Sequence, residues 1–159
     1  MRVGVVSDIH GAYEALRRAV QAMGPVDLLA HAGDGYSDLI RWRKENPDVR
    51  VEMVAGNCDL FADCAEETLF SLDRWRILLT HGHQYGVKSG LHRLLARAQR
   101  AGAQLVIYGH THCPERSDQG GIILFNPGSL CLARTSCGRP SYGLIDVTPD
   151  RLEIAVDYL

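Results

Sequence analysis

The sequence predicts an α/β fold of mixed β-sheets with helices packed outside them. Three observations predict it. Short apolar runs of strand length alternate with segments whose apolar residues recur at helical spacing. Strand pairs joined by tight turns gather later in the chain, so the sheets are mixed and not purely parallel. Apolar runs also end, one after another, in a polar side chain able to hold a metal, the arrangement expected where strand ends build a site.

Residues 3–6 open the chain as a strand. Residues 13–23 come next as a helix, with Leu16, Ala19, Val20 and Met23 on one face and Gly24-Pro25 as the stop signal. Residues 28–30 read as a second strand, 38–44 as a short helix closed by Asn46-Pro47, and 49–54 as a third strand. Residues 69–72 and 77–80 flank Asp73-Arg74 and form a hairpin. Residues 91–100 carry a stripe of Leu91, Leu94, Leu95 and Ala98 and are capped by Gly102. Further strands lie at 105–108 and 122–125. Residues 142–147 and 152–156 make a last hairpin around Pro149-Asp150. The stretches 84–90 and 113–120 are expected as loops bordering a pocket. No repeat, low-complexity tract or linker divides the chain, so residues 1–159 are expected as one domain.

Composition narrows the function classes. The chain has 159 residues, 46% hydrophobic and 23% charged, within the range of globular proteins. Its formal net charge of -2 provides no basic excess to mark nucleic acid as a bulk partner. The apolar run near Arg2 is too short for a signal-peptide core, and no run reaches membrane length, which points to the cytoplasm. The five cysteines are odd in number and contain no C-x-x-C pair, so neither a disulfide framework nor a zinc ribbon is expected; most are expected reduced and structural, with Cys58 the exception. A homo-oligomer is compatible with the sequence.

The chemistry lies at the carboxyl ends of the strands. Residues 3–6 lead into Asp8-Ile9-His10, and 28–30 into Gly33-Asp34. Residues 49–54 lead into Gly56-Asn57-Cys58-Asp59, 77–80 into His81-Gly82-His83, and 105–108 into Gly109-His110-Thr111-His112. A single strand-end Asp is commonly a helix cap, and a single His a hydrogen-bonded structural residue. Five such endings in order are not explained that way. Asp8 and His10 are two residues apart, as are His110 and His112, so an extended chain points each pair to one side. Glycine beside a ligand lets the backbone approach an ion closely.

Asp8-x-His10, Gly33-Asp34, Gly56-Asn57, His81 and Gly109-His110-x-His112 resemble the motif set of the calcineurin-like metallophosphoesterase superfamily. The short length, Cys58-Asp59 and Asn126-Pro127-Gly128-Ser129 are similar to its small bacterial and archaeal phosphodiesterase branch. The resemblance implies two packed mixed β-sheets flanked by helices, a four-layer α-β-β-α sandwich with a site at the strand ends. It implies two divalent ions, one held by Asp8, His10, Asp34 and His112, the other by Asp34, Asn57, His81 and His110. Asp34 would bridge them. Mn²⁺ is the expected ion, and Ni²⁺, Fe and Zn²⁺ also suit nitrogen and oxygen ligands.

The implied reaction is in-line attack on phosphorus by a hydroxide held between the ions. Two divalent ions against two carboxylates and one hydroxide leave about one positive charge. That matches the monoanion of a small phosphodiester better than a monoester dianion. Relatives commonly carry His where this chain has Cys58, and that His is the expected proton donor to the leaving group. Cys58 is therefore a candidate for a weaker donor or a packing residue, and His83 a candidate substitute. Asp59 either orients a ligand or caps a turn. Asp38 reads as the start of a surface helix, the Asn126–Ser129 motif as a tight turn, and the basic residues of 41–44 and 93–100 as solvated helix faces.

Three alternatives stand beside the phosphodiesterase: a phosphomonoesterase, a nucleotide polyphosphate hydrolase, and a protein-binding scaffold of the same fold, as a retromer subunit is. The scaffold reading requires lost ligands, and here each expected ligand is present.

Overall fold

The computed structural model describes residues 1–135 and 137–159. Ten strands form two five-stranded mixed sheets. The first contains β1 (Arg2–Val6), β2 (Leu28–His31), β3 (Arg50–Met53), β9 (Ser141–Val147) and β10 (Leu152–Tyr158), in the order β10-β9-β1-β2-β3. The second contains β4 (Glu67–Leu72), β5 (Trp75–Thr80), β6 (Leu105–Ile107), β7 (Pro114–Gln119) and β8 (Ile122–Pro127), in the order β4-β5-β6-β8-β7. Helices α1 (Tyr13–Met23) and α2 (Tyr36–Glu45) cover the first sheet, and α3 (His92–Ala101) covers the second.

The layering results from the two-residue period of the strands. Val3, Val5, Leu28, Ala30, Ile77, Leu79, Leu105 and Ile107 point between the sheets into one core. Their neighbours face outward. Val6 and Leu29 pack with Leu16, Ala19, Met23, Leu39 and Trp42 under α1 and α2. Leu78 and Val106 pack with Leu94 and Ala98 under α3. Central strands buried on both faces read as continuous apolar runs, and the four-layer sandwich results. Strands β1, β2 and β3 run parallel, as do β5, β6 and β8, so their carboxyl ends gather at one edge of the molecule.

One expectation fails and another is met only in part. Residues 114–119 form an edge strand antiparallel to β8, not a loop. Its sequence, Pro-Glu-Arg-Ser-Asp-Gln, has no apolar alternation, because an edge strand facing solvent needs backbone pairing on one side only. The cysteines are not all reduced either: Cys113 and Cys137 form a disulfide, while Cys58, Cys64 and Cys131 are free. An odd total conceals one bonded pair beside three free thiols. Smaller shifts concern ends only. Helix α2 starts at Tyr36, before residue 38, and residues 84–90 are largely two 3₁₀ turns, His83–Tyr85 and Val87–Ser89. No helix among the described residues is long and apolar enough to cross a membrane.

Candidate metal centre

Two buried carboxylates organise the strand-end edge. Asp8 follows β1 and Asp34 follows β2, and both are almost fully excluded from solvent. Each has one oxygen fixed by protein donors. Asp8 Oδ2 accepts from Ser7 Oγ at 2.6 Å and from the His110 backbone N–H at 3.0 Å. Asp34 Oδ1 accepts from the Cys58 backbone N–H at 2.7 Å. The second oxygens face histidines. Asp8 Oδ1 lies 3.1 Å from His112 Nε2, 3.3 Å from His81 Nε2 and 3.7 Å from His10 Nε2. Asp34 Oδ2 lies 3.5 Å from His81 Nε2 and 3.6 Å from His10 Nε2. Three tight groups of donor atoms result: Asp8–His10–His112, Asp8–Asp34–His81 and His10–Asp34–Cys58.

The rings are oriented from behind. His112 Nδ1 donates to the Arg134 carbonyl at 3.0 Å, and His81 Nδ1 shares a hydrogen bond with His83 Nδ1 at 3.0 Å. Such an outer partner fixes which nitrogen a ring presents to an ion. His83, a candidate proton donor from the sequence, is thus the partner of His81. Burial and the neighbouring His81 hold its pKa below the ordinary value. His110 lies outside the three tight groups, with its ring centroid 4.8 Å from that of His81. Burial, with His81 and Lys88 nearby, pushes its pKa down to about 4. Asn57 is exposed, and its amide Nδ2 lies 3.4 Å from Cys58 Sγ.

The backbone is strained where the site lies. Among the described residues, six that are not glycine have positive φ, and five of them are Asp8, His10, Asp34, His110 and His112. Each costs on the order of 1 kcal/mol. The sixth, Asp73, lies in the β4–β5 turn; such strain concentrated at candidate ligands marks a conformation kept for function. Glycine allows the same closeness at two other points. A side chain at Gly56 would overlap Asp34 Oδ1, and one at Gly109 would overlap Ser7 Oγ.

Among the described residues Asp59 makes no hydrogen bond or ion pair to an imidazole of the cluster; its carboxylate is filled by the backbone. Oδ2 accepts from the N–H of Asp34 at 2.8 Å and Gly56 at 2.9 Å. Oδ1 accepts from Gly35 and Tyr36, both at 3.0 Å. It therefore clamps the Asp34 loop to the Asn57 loop and satisfies free donors at the start of α2. Asp38 lies in the first turn of α2 and accepts from the Gly11 N–H at 2.9 Å. Cys58 is exposed, and burial of its sulfur together with the Asp34 carboxylate raises its pKa, so the thiol keeps its proton near neutral pH.

The Asn126–Ser129 motif at the end of β8 does more than turn the chain. Buried Asn126 donates to the Gly109 carbonyl at 2.9 Å and to Thr111 Oγ1 at 3.0 Å, holding the loop that carries His110. Ser129 Oγ donates to the Asp8 carbonyl at 2.8 Å. One further residue escapes sequence reasoning. His31, at the end of β2, is fully buried, and neither ring nitrogen has a hydrogen-bond partner among the described residues. Its only signal in the sequence is its place at a strand end, three residues before Asp34.

These residues fit divalent metal ions. With Nδ1–H donated to Arg134, a neutral His112 presents a lone pair from Nε2 toward an anionic oxygen and toward His10 Nε2, 3.3 Å away. Lone pairs and carboxylates repel unless positive charge lies among them. Burial alone would raise the Asp8 carboxyl, yet contacts with His10, His112 and His81 hold it well below the usual range. Its hydrogen bond with Asp8 raises His112. Both shifts express one demand for positive charge, which a divalent ion meets with nitrogen and oxygen donors. Open grooves flank the 57–59 loop. One, of about 270 Å³, is lined by His10, Asp34, Asp38 and Cys58; the other, of about 430 Å³, by Asn57, Leu60, Glu66 and His83.

Comparison with known proteins agrees with this geometry. The chain is 34% identical over 152 residues to the probable metallophosphoesterase YsnB of Bacillus subtilis (strain 168), covering 94% of this chain and 86% of that protein. It is 31% identical over 170 residues to the phosphodiesterase YfcE of Escherichia coli (strain K12), covering 92% and 88%. A solved structure of a predicted phosphoesterase from Streptococcus pneumoniae TIGR4 superposes with a TM-score of 0.82 at 26% identity, covering 98% of this chain and 87% of that one. The profile of the Calcineurin-like phosphoesterase superfamily domain matches residues 1–150, and this chain belongs to that superfamily.

Proposed function

We propose that residues 1–159 form one catalytic domain that hydrolyses small phosphodiesters with two divalent metal ions, Mn²⁺ foremost. One observation carries the reading: Nε2 of His10, His81 and His112 converge on the free oxygens of buried Asp8 and Asp34. Asp8, His10, Asp34 and His112 would hold one ion, and Asp34, Asn57, His81 and His110 the other. When bound, such ions supply Lewis acidity toward phosphoryl oxygens and water.

The chain's own residues supply positioning and protons. Asp59 fixes the spacing of the Asp34 and Asn57 loops through four backbone hydrogen bonds. His83 and the Arg134 carbonyl fix the rings of His81 and His112. Cys58 Sγ holds a proton beside the Asp34 group and would give it to a leaving oxygen, less readily than an imidazolium. The two grooves beside the 57–59 loop offer a separate channel to each arm of a diester, which favours diesters over monoesters. The family and the names of its relatives support the class, and the absence of a membrane-length helix among the described residues is compatible with action in the cytoplasm.

The test uses metal-stripped protein reloaded with Mn²⁺, a chromogenic phosphodiester and the matching monoester. Diester cleavage that needs metal, exceeds monoester cleavage and disappears in Asp34→Asn is the expected result. Faster monoester cleavage would overturn the diester assignment.

A further inference from the structure

One covalent feature beside the site is not used by phosphoester chemistry. Cys113 directly follows His112, and its sulfur is bonded to Cys137 at a sequence separation of 24. The bond joins the His112 segment to the turn after Leu130. That turn lies largely in solvent: Leu132 is 64% exposed, and Cys137 is exposed as well. Its own hydrogen bonds, from Arg134 N and Thr135 N to the Cys131 carbonyl, are local. Among the described residues, two hydrogen bonds join it to His112. His112 Nδ1 donates to the Arg134 carbonyl at 3.0 Å, and Thr135 Oγ1 donates to the His112 carbonyl at 3.2 Å. The first of these decides which nitrogen His112 turns toward Asp8.

We propose that Cys113–Cys137 is a reversible thiol–disulfide staple that sets how tightly the His112 half of the centre holds its metal. The inference rests on the ligand assignment under Proposed function. Closed, the staple keeps the Arg134 carbonyl behind His112. Open, it leaves the turn to neutral hydrogen bonds such as these two, one exposed and one partly buried, each a small net contributor. The chemistry is thiol–disulfide exchange with a thiol reductant. A reductant thiolate attacks the exposed Cys137 sulfur, forms a mixed disulfide and expels the Cys113 thiolate, which takes up a proton. A second reductant thiol then displaces Cys137. Two electrons and two protons reach the protein, and the reductant leaves as its disulfide. A small-molecule disulfide drives the reverse. Where thiols are kept reduced the open form prevails, and oxidation closes the staple.

The test titrates Mn²⁺ into metal-stripped full-length protein in two states. One is oxidised with a small-molecule disulfide, the other reduced with a phosphine that is then removed, and peptide mapping identifies the bonded cysteines. Loss of an outer hydrogen-bond partner commonly weakens metal binding roughly 10- to 100-fold. Reduction is therefore expected to weaken one of two Mn²⁺ sites about tenfold and spare the other. Cys137→Ser should show the reduced value under both conditions. Absence of a Cys113–Cys137 peptide after oxidation, equal affinities in the two states, or redox sensitivity persisting in Cys137→Ser would each overturn the staple; the last would point to Cys58. His112→Ala separates the failures. If it binds Mn²⁺ as the parent does, the ligand assignment is at fault and not the staple.

Discussion

Asp59 distinguishes a positioning role from a chemical one, and Asp59→Asn is the perturbation that separates them. A carboxylate offers two acceptor oxygens, and here each takes two backbone N–H groups, at 2.8–3.0 Å. An amide offers one oxygen and one NH₂. Whichever way the substituted amide turns, its NH₂ confronts two N–H donors: either Asp34 with Gly56 or Gly35 with Tyr36. Two charge-assisted hydrogen bonds, each contributing roughly 1.5–3 kcal/mol, are lost. Residue 59 is only half-buried, so water recovers part of this, and the net cost is roughly 2–4 kcal/mol. For a chain of this size that lowers the melting temperature by roughly 5–15 °C. Because either orientation frees at least one amide of the Asp34–Tyr36 segment, Mn²⁺ affinity should also fall, on the order of tenfold or more. Urea unfolding, thermal melting and Mn²⁺ titration of the two proteins decide the matter. Unchanged melting and unchanged metal affinity, with turnover alone collapsing, would refute the clamp and make Asp59 a group that acts on substrate.

Cys58→His should raise turnover on diesters with poor alkyl leaving groups by about tenfold or more, because general acids contribute roughly 10²–10⁴-fold, and leave good aryl leaving groups nearly unchanged; equal rates for both proteins on alkyl esters contradict it. Gly109→Ala should abolish tight Mn²⁺ binding in a folded protein, because its Cβ would displace Ser7 Oγ and Asp8 Oδ2; normal binding by calorimetry would contradict the packing argument. Burial lowers His31 from 6.5 to about 4. Between those values the unfolded chain takes up a proton that the folded chain refuses, so its contribution to stability is complete above pH 6.5 and lost as pH falls toward 4. The loss is at most about 1.4 kcal/mol per pH unit. His31→Leu, which removes a polar ring without partners, should be at least as stable at pH 7 and lose less stability by pH 5 in urea melts; an identical pH dependence contradicts this. Opening the disulfide should cost up to about 3.5 kcal/mol on the chain-entropy scale for a loop of its 24-residue separation, measured as the difference in urea stability between oxidised protein and Cys137→Ser.

Much of this was legible in the sequence, for identifiable reasons. Val3, Val5, Ile77, Leu79, Leu105 and Ile107 belong to runs buried on both faces, so their strands stand out against the polar turns. These strands, and β2 with them, lead into Asp8, Asp34, His81 and His110, so order along the chain reflected proximity in space. The hidden features depend on partners that leave no local pattern. Strand β7 is polar because one edge and one face meet water. Asp59 acts on amides more than twenty residues away, and a carboxylate bonded to backbone has no signature in its neighbours. The isolation of His31 depends on three-dimensional surroundings, although its position could be read. The Cys113–Cys137 pair was obscured by three unpaired cysteines, which made the total odd.

The central claim is that two metal ions held by these strand-end residues carry out diester hydrolysis. The most direct measurement is the initial rate on a chromogenic phosphodiester as Mn²⁺ is added in known equivalents to metal-stripped protein, with Asp34→Asn in parallel. The account predicts a rate that rises to a plateau at two ions per chain and stays at background in Asp34→Asn. Two ions bound per chain with no turnover of diester or monoester would contradict it and place the chain among members of this fold that bind partners instead of cleaving esters.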